Sequence, residues 1–514
     1  MSHLGLIKLS RKKFITTALI NNFGGGHAED LRTHNTDECE YSKNFDVFTN
    51  PHKLLPYGDS ILDTITALAM NDIQLTDIDV CLVGGAYTIV GVGDESGASN
   101  KVTFYKKTDV SSVWTQVVVS ASGAYVKGSG VYYKDHFYAL AFNGSTTYTL
   151  FRLNDDSTVT NCGTIASTNL NIAKPKVHPE DNVLYIVIGT TITSWDNATL
   201  TTYASILPLG MEASSITDFG TYLAIAMTPL KHSGDSMVYL WGRDGTINTL
   251  QTSINFGEGN ITVLENLNNV LFGVMIPQSF FYTSLYTRFK IKGYSGGAVN
   301  VYKSIMMTSS TIISKVKAKS GDKLYFCASN DDAMYSFGKN KVGNYIVTKD
   351  RYLNNGANSG SSIGGLSVIG DVFWRAFATP ASGIILMRSE TTWNESTGYT
   401  SISKYKTTIN PCMGTTRYTV MDKHKVKTLE GVAIKYTSIG NSGTVGVQVS
   451  IDGGSFIDII SETNVTGENI KETTVRLDGT PFGEGREFQF IILSSGGAQI
   501  NELNYKYNPL ETYV

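Results

Sequence analysis

Seven times along this chain a polar or glycine-containing turn is followed by a short run of aromatic and aliphatic residues. The runs are Tyr87–Val92, Phe137–Phe142, Val183–Ile188, Tyr222–Met227, Val270–Met275, Leu324–Ala328 and Val372–Phe377. The turns before them are Gly84-Gly85, Lys134-Asp135, Glu180-Asp181-Asn182, Phe219-Gly220, Asn268-Asn269, Gly321-Asp322-Lys323 and Gly370-Asp371. The stretch Val131 to Phe142, VYYKDHFYALAF, shows the beat at its plainest. Most beats are followed, after a variable loop, by a second run ending in an aromatic: Val102–Tyr105, Tyr148–Phe151, Ile192–Trp195, Val238–Trp241 and Met334–Phe337.

Beat follows beat at roughly 40 to 55 residues, the period of four-stranded propeller blades. A small twisted sheet with two apolar faces buries both only between neighbours, so such a ring has to close. The expected fold class is therefore all-β: a β-propeller of about seven blades, with an irregular N-terminal arm and a C-terminal β-sandwich. Six blades fit if the first or last beat is a linker, and a pair of sandwiches or a solenoid is the competing arrangement.

Composition agrees with many short strands. Charged residues are 17% of the 514, below the roughly 25% usual for globular proteins. Gly, Ser, Thr, Asn and Tyr are plentiful, which suits pleated surfaces and tight turns. A net charge of −3 gives no whole-chain field toward nucleic acid or anionic membrane. The five cysteines (Cys39, Cys81, Cys162, Cys327, Cys412) are scattered singly, which indicates reduced thiols rather than a disulfide framework or a zinc site. The first 26 residues have basic character without an apolar core or cleavage site, so no signal peptide is expected. No stretch approaches 18 apolar residues, so no membrane-spanning segment is expected either.

The expected domains are an extended arm over 1–60, the propeller over 61–400, a connector over 401–422 and a sandwich over 423–514. The arm holds Gly24-Gly25-Gly26 and FDVFTNPHKLLPYGD (Phe45 to Asp59), with proline and Asn-Pro turn signals but no strand or helix period. Residues 61–76 fit a short helix or a strand. In the sandwich, strands are expected at 426–436, 445–451, 475–477, 488–493 and 500–507, with Asp452-Gly453-Gly454 as a hairpin turn.

Catalytic signatures are sparse. Gly24-Gly25-Gly26-His27 lacks the Lys-Ser/Thr and the strand–helix frame of a phosphate loop. The two GxSxG matches, Gly293–Gly297 and Gly360–Gly364, sit in Gly/Ser-rich sequence with no elbow context. Asp135, Glu180, Asp181, Asp218, Asp235, Asp244, Asp322 and Asp371 fall at predicted turns, where local backbone bonding explains them. A glycosidase-type carboxylate pair depends on spatial separation that sequence does not supply. The eight histidines show no ligand spacing, although His27 and His34 are close in the arm. Basic runs at Leu9–Lys13 and Lys423–Lys427 read as solvated faces. Catalytic, cofactor-binding and metal sites are all expected to be absent, and so are cofactors.

The arm also carries a resemblance. Phe23-Gly24-Gly25-Gly26, Asp30-Leu31-Arg32, Phe45-Asp46-Val47-Phe48 and Asn50 to Pro56 resemble the start of structural proteins of tailed bacteriophages, of the tail or nozzle type. The other end is similar too: Val449 to Phe456, Ser494 to Ile500 and Leu503 to Tyr507. The resemblance covers both ends and the middle only in rhythm, and it transfers no site residue. It implies a virion structural protein, a tail or head–tail (nozzle-type) component made in the host cytoplasm and forming a symmetric homo-oligomer. Its implied partners are portal, adaptor or other tail components, with host surface glycans as a further class, and with passing DNA but no specific nucleic-acid binding. The alternative is a receptor- or carbohydrate-binding propeller using Trp114, Trp241 and Trp393 as stacking platforms.

Overall fold

The computed structural model describes residues 16–20, 26–27, 38–39, 41–43, 45–50, 52–56, 59–65, 73–83, 86–95, 101–108, 115–118, 125–169, 171–203, 207–230, 234–243, 250–276, 286–308, 313–328, 333–352, 362–369, 372–379, 383–390, 403–409, 426–495 and 498–509. These residues form two units, 58–394 and a second made of 1–57 with 395–514. Every regular element among them is a β-strand.

Residues 58–394 contain seven four-stranded antiparallel sheets. The first runs in order through Ile73–Val83, Ala86–Glu95, Lys101–Thr108 and Thr115–Val118. The next five begin with Tyr125–Tyr133, Lys176–His178, Met211–Phe219, Asn260–Leu267 and Ile313–Ser320. The seventh comprises Ser362–Ile369, Val372–Thr379 and Gly383–Glu390, and its fourth strand is Asp59–Ile65. The segment 61–76, open between helix and strand in the sequence, thus supplies strand residues at both ends, with 66–72 outside the described residues.

Sheet leads to sheet through the opening strands. Tyr125–Tyr133 packs on Ile73–Val83, Met211–Phe219 on Lys176–His178, Asn260–Leu267 on Met211–Phe219, Ile313–Ser320 on Asn260–Leu267, and Ser362–Ile369 on Ile313–Ser320. The second and third sheets share an apolar cluster containing Tyr138, Leu150, Ile186 and Trp195. Ser362–Ile369 then returns to Ile73–Val83. This unit has a propeller-like all-β fold.

The seven apolar runs are the second strand of each sheet. That position is covered by neighbours on both faces, so its residues are apolar in succession instead of alternating. Leu184 to Ile188, Leu223 to Met227 and Leu271 to Met275 are buried without a break. The turns between first and second strands use the left-handed region expected of two-residue hairpins: Lys134 and Asp135 have φ of 43° and 64°, Asn268 and Asn269 of 52° and 61°.

In the other unit, one eight-stranded sheet holds most of the chain. Its axis is a 25-residue strand, Lys427–Ile451. The first half pairs with Ala498–Pro509 and the second half with Phe488–Ser495, with a register shift between Ser438 and Gly443. Ile457–Thr473 pairs along both halves. Burial alternates over 432–438 and 443–449, with Val432, Ile434, Tyr436, Val445, Val447 and Val449 inward, so one face of the sheet is a core and the other is half-exposed.

Three expectations are corrected in this unit. The arm is not irregular throughout: Thr16–Ile20 pairs with Ala498–Pro509 and Tyr41–Lys43 with Ser403–Ile409, so the N-terminal segment supplies both outer strands of the sheet path. Ser403–Ile409 lies in the expected connector yet is an interior strand, between Tyr41–Lys43 and Phe488–Ser495. Residues 475–477 are a loop, closed by Arg476 and Thr480, with Val475 and Leu477 exposed. Asp478 and Gly479 favour the turn, and the missed strand is Ile457–Thr473.

The segment Phe45 to Pro56 is folded tightly. Phe45, Val47, Phe48, Leu54 and Leu55 are all buried. The buried Asp46 carboxylate accepts from the amides of Phe48 (2.8 Å) and Thr49 (3.1 Å) and from Thr49 Oγ1 (2.5 Å). Leu54 and Ile500 exchange backbone hydrogen bonds of 2.9 and 3.1 Å.

Candidate functional site

Five of the seven sheets contribute to one cavity of ≈ 240 Å³, lined by Lys174, Lys176, Glu265, Lys317, Lys319 and Ser367 among others. Its ionisable residues stand on or beside the opening strands of the third, fifth and sixth sheets, which the ring of sheet contacts brings to one place.

At its floor lies a buried ion pair. Lys317 Nζ is 2.9 Å from Glu265 Oε2, with both side chains nearly inaccessible at 7% and 3% exposure. Lys317 also donates to the carbonyls of Ile216 (2.9 Å) and Leu264. Glu265 Oε1 accepts from Thr217 Oγ1 at 2.9 Å. Higher up, Lys176 Nζ lies 3.0 Å from Asp218 Oδ1, and Lys319 Nζ donates to Asn266 O at 2.6 Å. Four lysines, Lys174, Lys176, Lys317 and Lys319, thus line the cavity together with Glu265.

The electrostatics follow from burial and pairing. Burial alone would push the Glu265 carboxyl up. The ammonium of Lys317, helped by Lys176 and Lys319, overcomes it and brings the group down to about 2. Burial pushes Lys317 below the ordinary lysine range, more than Glu265 restores. Asp218 is lowered despite its burial, because Lys176 is bonded to it. Both carboxylates are therefore held ionised, and neither has the raised affinity for a proton that a general acid requires.

A second cluster ties the third sheet to the fourth. The Arg243 guanidinium contacts Glu180, Asp181 and the carbonyl of Thr221. His178 is fully buried: its Nε2 donates to Tyr222 O at 3.2 Å, and its Nδ1 accepts from the amide of Glu180 at 3.3 Å. These two bonds define a neutral ring protonated on Nε2, and burial with the nearby Arg243 keeps its proton affinity low.

The acidic residues expected at turns are dispersed among different tasks. Asp135 accepts from Tyr132 Oη at 3.1 Å, Asp235 from Asn255 Nδ2 at 2.7 Å, and Asp322 is an exposed turn residue. Glu180 and Asp181 are bound to Arg243, and Asp218 is paired with Lys176. Asp244 and Asp371 lie outside the described residues. Trp241, offered as a stacking platform, is fully buried, edge-on to Tyr185 and Tyr203. Trp114 and Trp393 are outside the described residues. The GxSxG at 293–297 is the end of one strand and a hairpin turn into the next. Among the described residues no group of His, Cys, Asp and Glu is placed to hold a metal, and no helix is long and apolar enough to cross a membrane.

Sequence reasoning missed Lys176, Glu265, Lys317 and Lys319. A signal existed for two of them: in Ile313–Ser320, ISKVKAKS, lysines recur at every second position, the spacing that puts Lys317 and Lys319 on one face by strand period. Nothing local distinguishes Glu265 in its apolar strand.

Among solved structures the chain is similar to Chaetomium thermophilum Raptor, with a TM-score of 0.40 and 9% identity over 65% of this chain, and it spans only 30% of Raptor. It is similar to the β-propeller domain of the Trilobed protease from Pyrococcus furiosus, with a TM-score of 0.39 and 11% identity over 63% of this chain and 99% of that domain. It is also similar to the exo-β-1,3-galactanase of Phanerochaete chrysosporium, with a TM-score of 0.29 and 9% identity over 87% of this chain and 100% of that one. No family model matches the chain, and no curated protein matches it.

Proposed function

We propose that the chain is a non-catalytic virion structural protein, a tail or head–tail component that assembles into a symmetric multimer. The observation that carries this reading is the meeting of the two ends. The phage-like segments Phe45 to Pro56 and Ser494 to Tyr507 are far apart in sequence, yet they belong to one unit and are joined by the Leu54–Ile500 hydrogen bonds. Two ends that resemble the same class of protein form one unit, as parts of one design would. The ion-paired state of Asp218 and Glu265 supports a scaffold over a hydrolase.

In this reading the residues 58–394 are a seven-bladed β-propeller and the C-terminal part is a β-sandwich. The return of Ser362–Ile369 to Ile73–Val83, with Asp59–Ile65 completing the last sheet, supports the ring closure. The register shift in Lys427–Ile451 and the contact of Phe490 with Tyr505 across neighbouring strand sets, 5.6 Å between centroids, support two packed layers.

Native mass spectrometry of the full chain, alone and mixed with a portal-type protein, tests the assembly role. The expected result is one closed ring of defined copy number, alone or on mixing. Monomers in every condition, together with measurable glycan binding, would replace it with receptor recognition. A subnanometre electron-microscopy map of the ring would count the blades.

A further inference from the structure

We propose that Asn143, in the turn between the strands His136–Phe142 and Thr147–Leu153, is a deamidation site that converts to aspartate in the folded chain. The inference is independent of the assembly role and rests on this one turn. Asn143 is followed by Gly144, and both residues are exposed. Asn143 Oδ1 accepts from the amides of Ser145 (3.0 Å), Thr146 (2.9 Å) and Thr147 (3.0 Å), and from Ser145 Oγ at 3.3 Å. Such a set of donors on one atom identifies it as the carbonyl oxygen. Among the described residues Asn143 Nδ2 and the Gly144 amide make no hydrogen bond.

The nitrogen of Gly144 attacks Asn143 Cγ, and its proton passes to solvent base. The three amides stand where negative charge develops on Oδ1, and fixed donors so placed lower a barrier of this kind. Gly144, at φ 85° and without a Cβ, puts nothing in the way. The Cγ–Nδ2 bond then breaks, Nδ2 takes a proton from water and leaves as ammonia, and a succinimide remains. Water adding at Cγ breaks its bond to the Gly144 nitrogen and gives aspartate. Water adding at the main-chain carbonyl gives isoaspartate instead.

The turn selects aspartate. Its carboxylate keeps the same three amides, in the stronger bonds made to a charged acceptor, whereas isoaspartate adds a backbone methylene and breaks their spacing. The chain already uses an aspartate this way. Asp196 Oδ1 accepts from the amides of Ala198 (2.8 Å) and Thr199 (2.7 Å), which hold its carboxyl below the ordinary range. Asn154 and Asn340 supply the internal comparison. Each closes its turn as Asn143 does, its amide donating to the carbonyl four residues on at 2.9 Å, but Asp155 and Lys341 follow them with side chains beside the attacking nitrogen.

Storage of the full chain at mildly alkaline pH, with peptide mass spectrometry at intervals, tests the site. In the tryptic peptide that follows Lys134 and ends at Arg152, Asn143 is the single asparagine. Acid should accumulate there severalfold faster than at Asn154 or Asn340, and severalfold more slowly in Gly144→Ala of native circular dichroism. The ratio of aspartate to isoaspartate should be higher in the folded chain than in urea, and Asn143→Asp should unfold no more easily than wild type. Conversion at Asn143 no faster than at Asn154 and Asn340, or conversion only in urea, overturns the proposal. An equal product ratio in the folded and unfolded chain overturns the selection of aspartate by the turn.

Discussion

Lys317 and Glu265 come from opening strands of two adjacent sheets and form an ion pair 2.9 Å long, almost wholly removed from water. The lysine also satisfies carbonyls of the fourth and fifth sheets, so one side chain binds three sheets at the cavity floor. Buried pairs add little net stability relative to apolar replacements, but losing one partner leaves an uncompensated charge.

Lys317→Met should therefore cost about 3–5 kcal/mol. Pairing it with Glu265→Leu should recover a large part of that loss, because the stranded carboxylate is gone. Urea unfolding of the two single variants and the double gives the coupling. A Lys317→Met variant within about 1 kcal/mol of wild type would mean the pair is hydrated in solution.

His178 predicts a pH dependence. Its proton affinity is lowered in the folded protein, chiefly by burial, so the unfolded chain binds more protons as pH falls. Stability is then full above the unfolded value of about 6.5 and declines as pH falls through and below it. Protonation would also set a new N–H at Nδ1 against the amide of Glu180. Wild type should lose stability between about pH 7 and 5 relative to His178→Gln, whose curve should be flatter. Parallel curves for the two would exclude this histidine as the source.

Glu265 gives a second, more acid window. Its carboxyl is lowered to about 2, against an ordinary 4.5. The stability it contributes is present above about 4.5 and is lost as pH falls toward about 2. Comparing acid unfolding of wild type with the Lys317→Met, Glu265→Leu double variant isolates it. The double variant should lack this acid-sensitive component.

Asp46 organises the arm through three hydrogen bonds, two of them to backbone amides. Asp46→Ala should destabilise this segment by about 2–3 kcal/mol, since bonds to a charged acceptor are the stronger kind and three donors, two of them backbone amides, lose this acceptor. Faster hydrogen exchange at the amides of Leu54 and Ile500 is the readout. Unchanged exchange there would show that the buried apolar residues hold the segment without the carboxylate.

Trp241 is buried, and its indole N–H has no partner among the described residues. Trp241→Ala should cost about 3–5 kcal/mol. Trp241→Phe should cost much less, because it keeps an aromatic against Tyr185 and Tyr203 and removes an unsatisfied donor. Thermal unfolding of the two variants separates packing from hydrogen bonding.

The beat of turn and apolar run was legible because each second strand is buried on both faces, which makes its hydrophobicity continuous over residues such as Leu184 to Ile188. Hairpin turns were legible for a related reason. Left-handed backbone at Asn268-Asn269 or Asp452-Gly453 selects residues that tolerate it. The arm strands Thr16–Ile20 and Tyr41–Lys43 were not legible, since short outer strands take their conformation from the strand they join.

By itself, then, the sequence determined an all-β chain of repeated small sheets, because period and turn chemistry are properties of neighbouring residues. Tertiary structure alone decided that Asp59–Ile65 pairs with Gly383–Glu390, that Leu54 meets Ile500, and that Lys317 finds Glu265. Each joins residues far apart in the chain. Such pairings arise from the packing of one sheet on another and from burial of charge among several sheets, and no local run of residues encodes them.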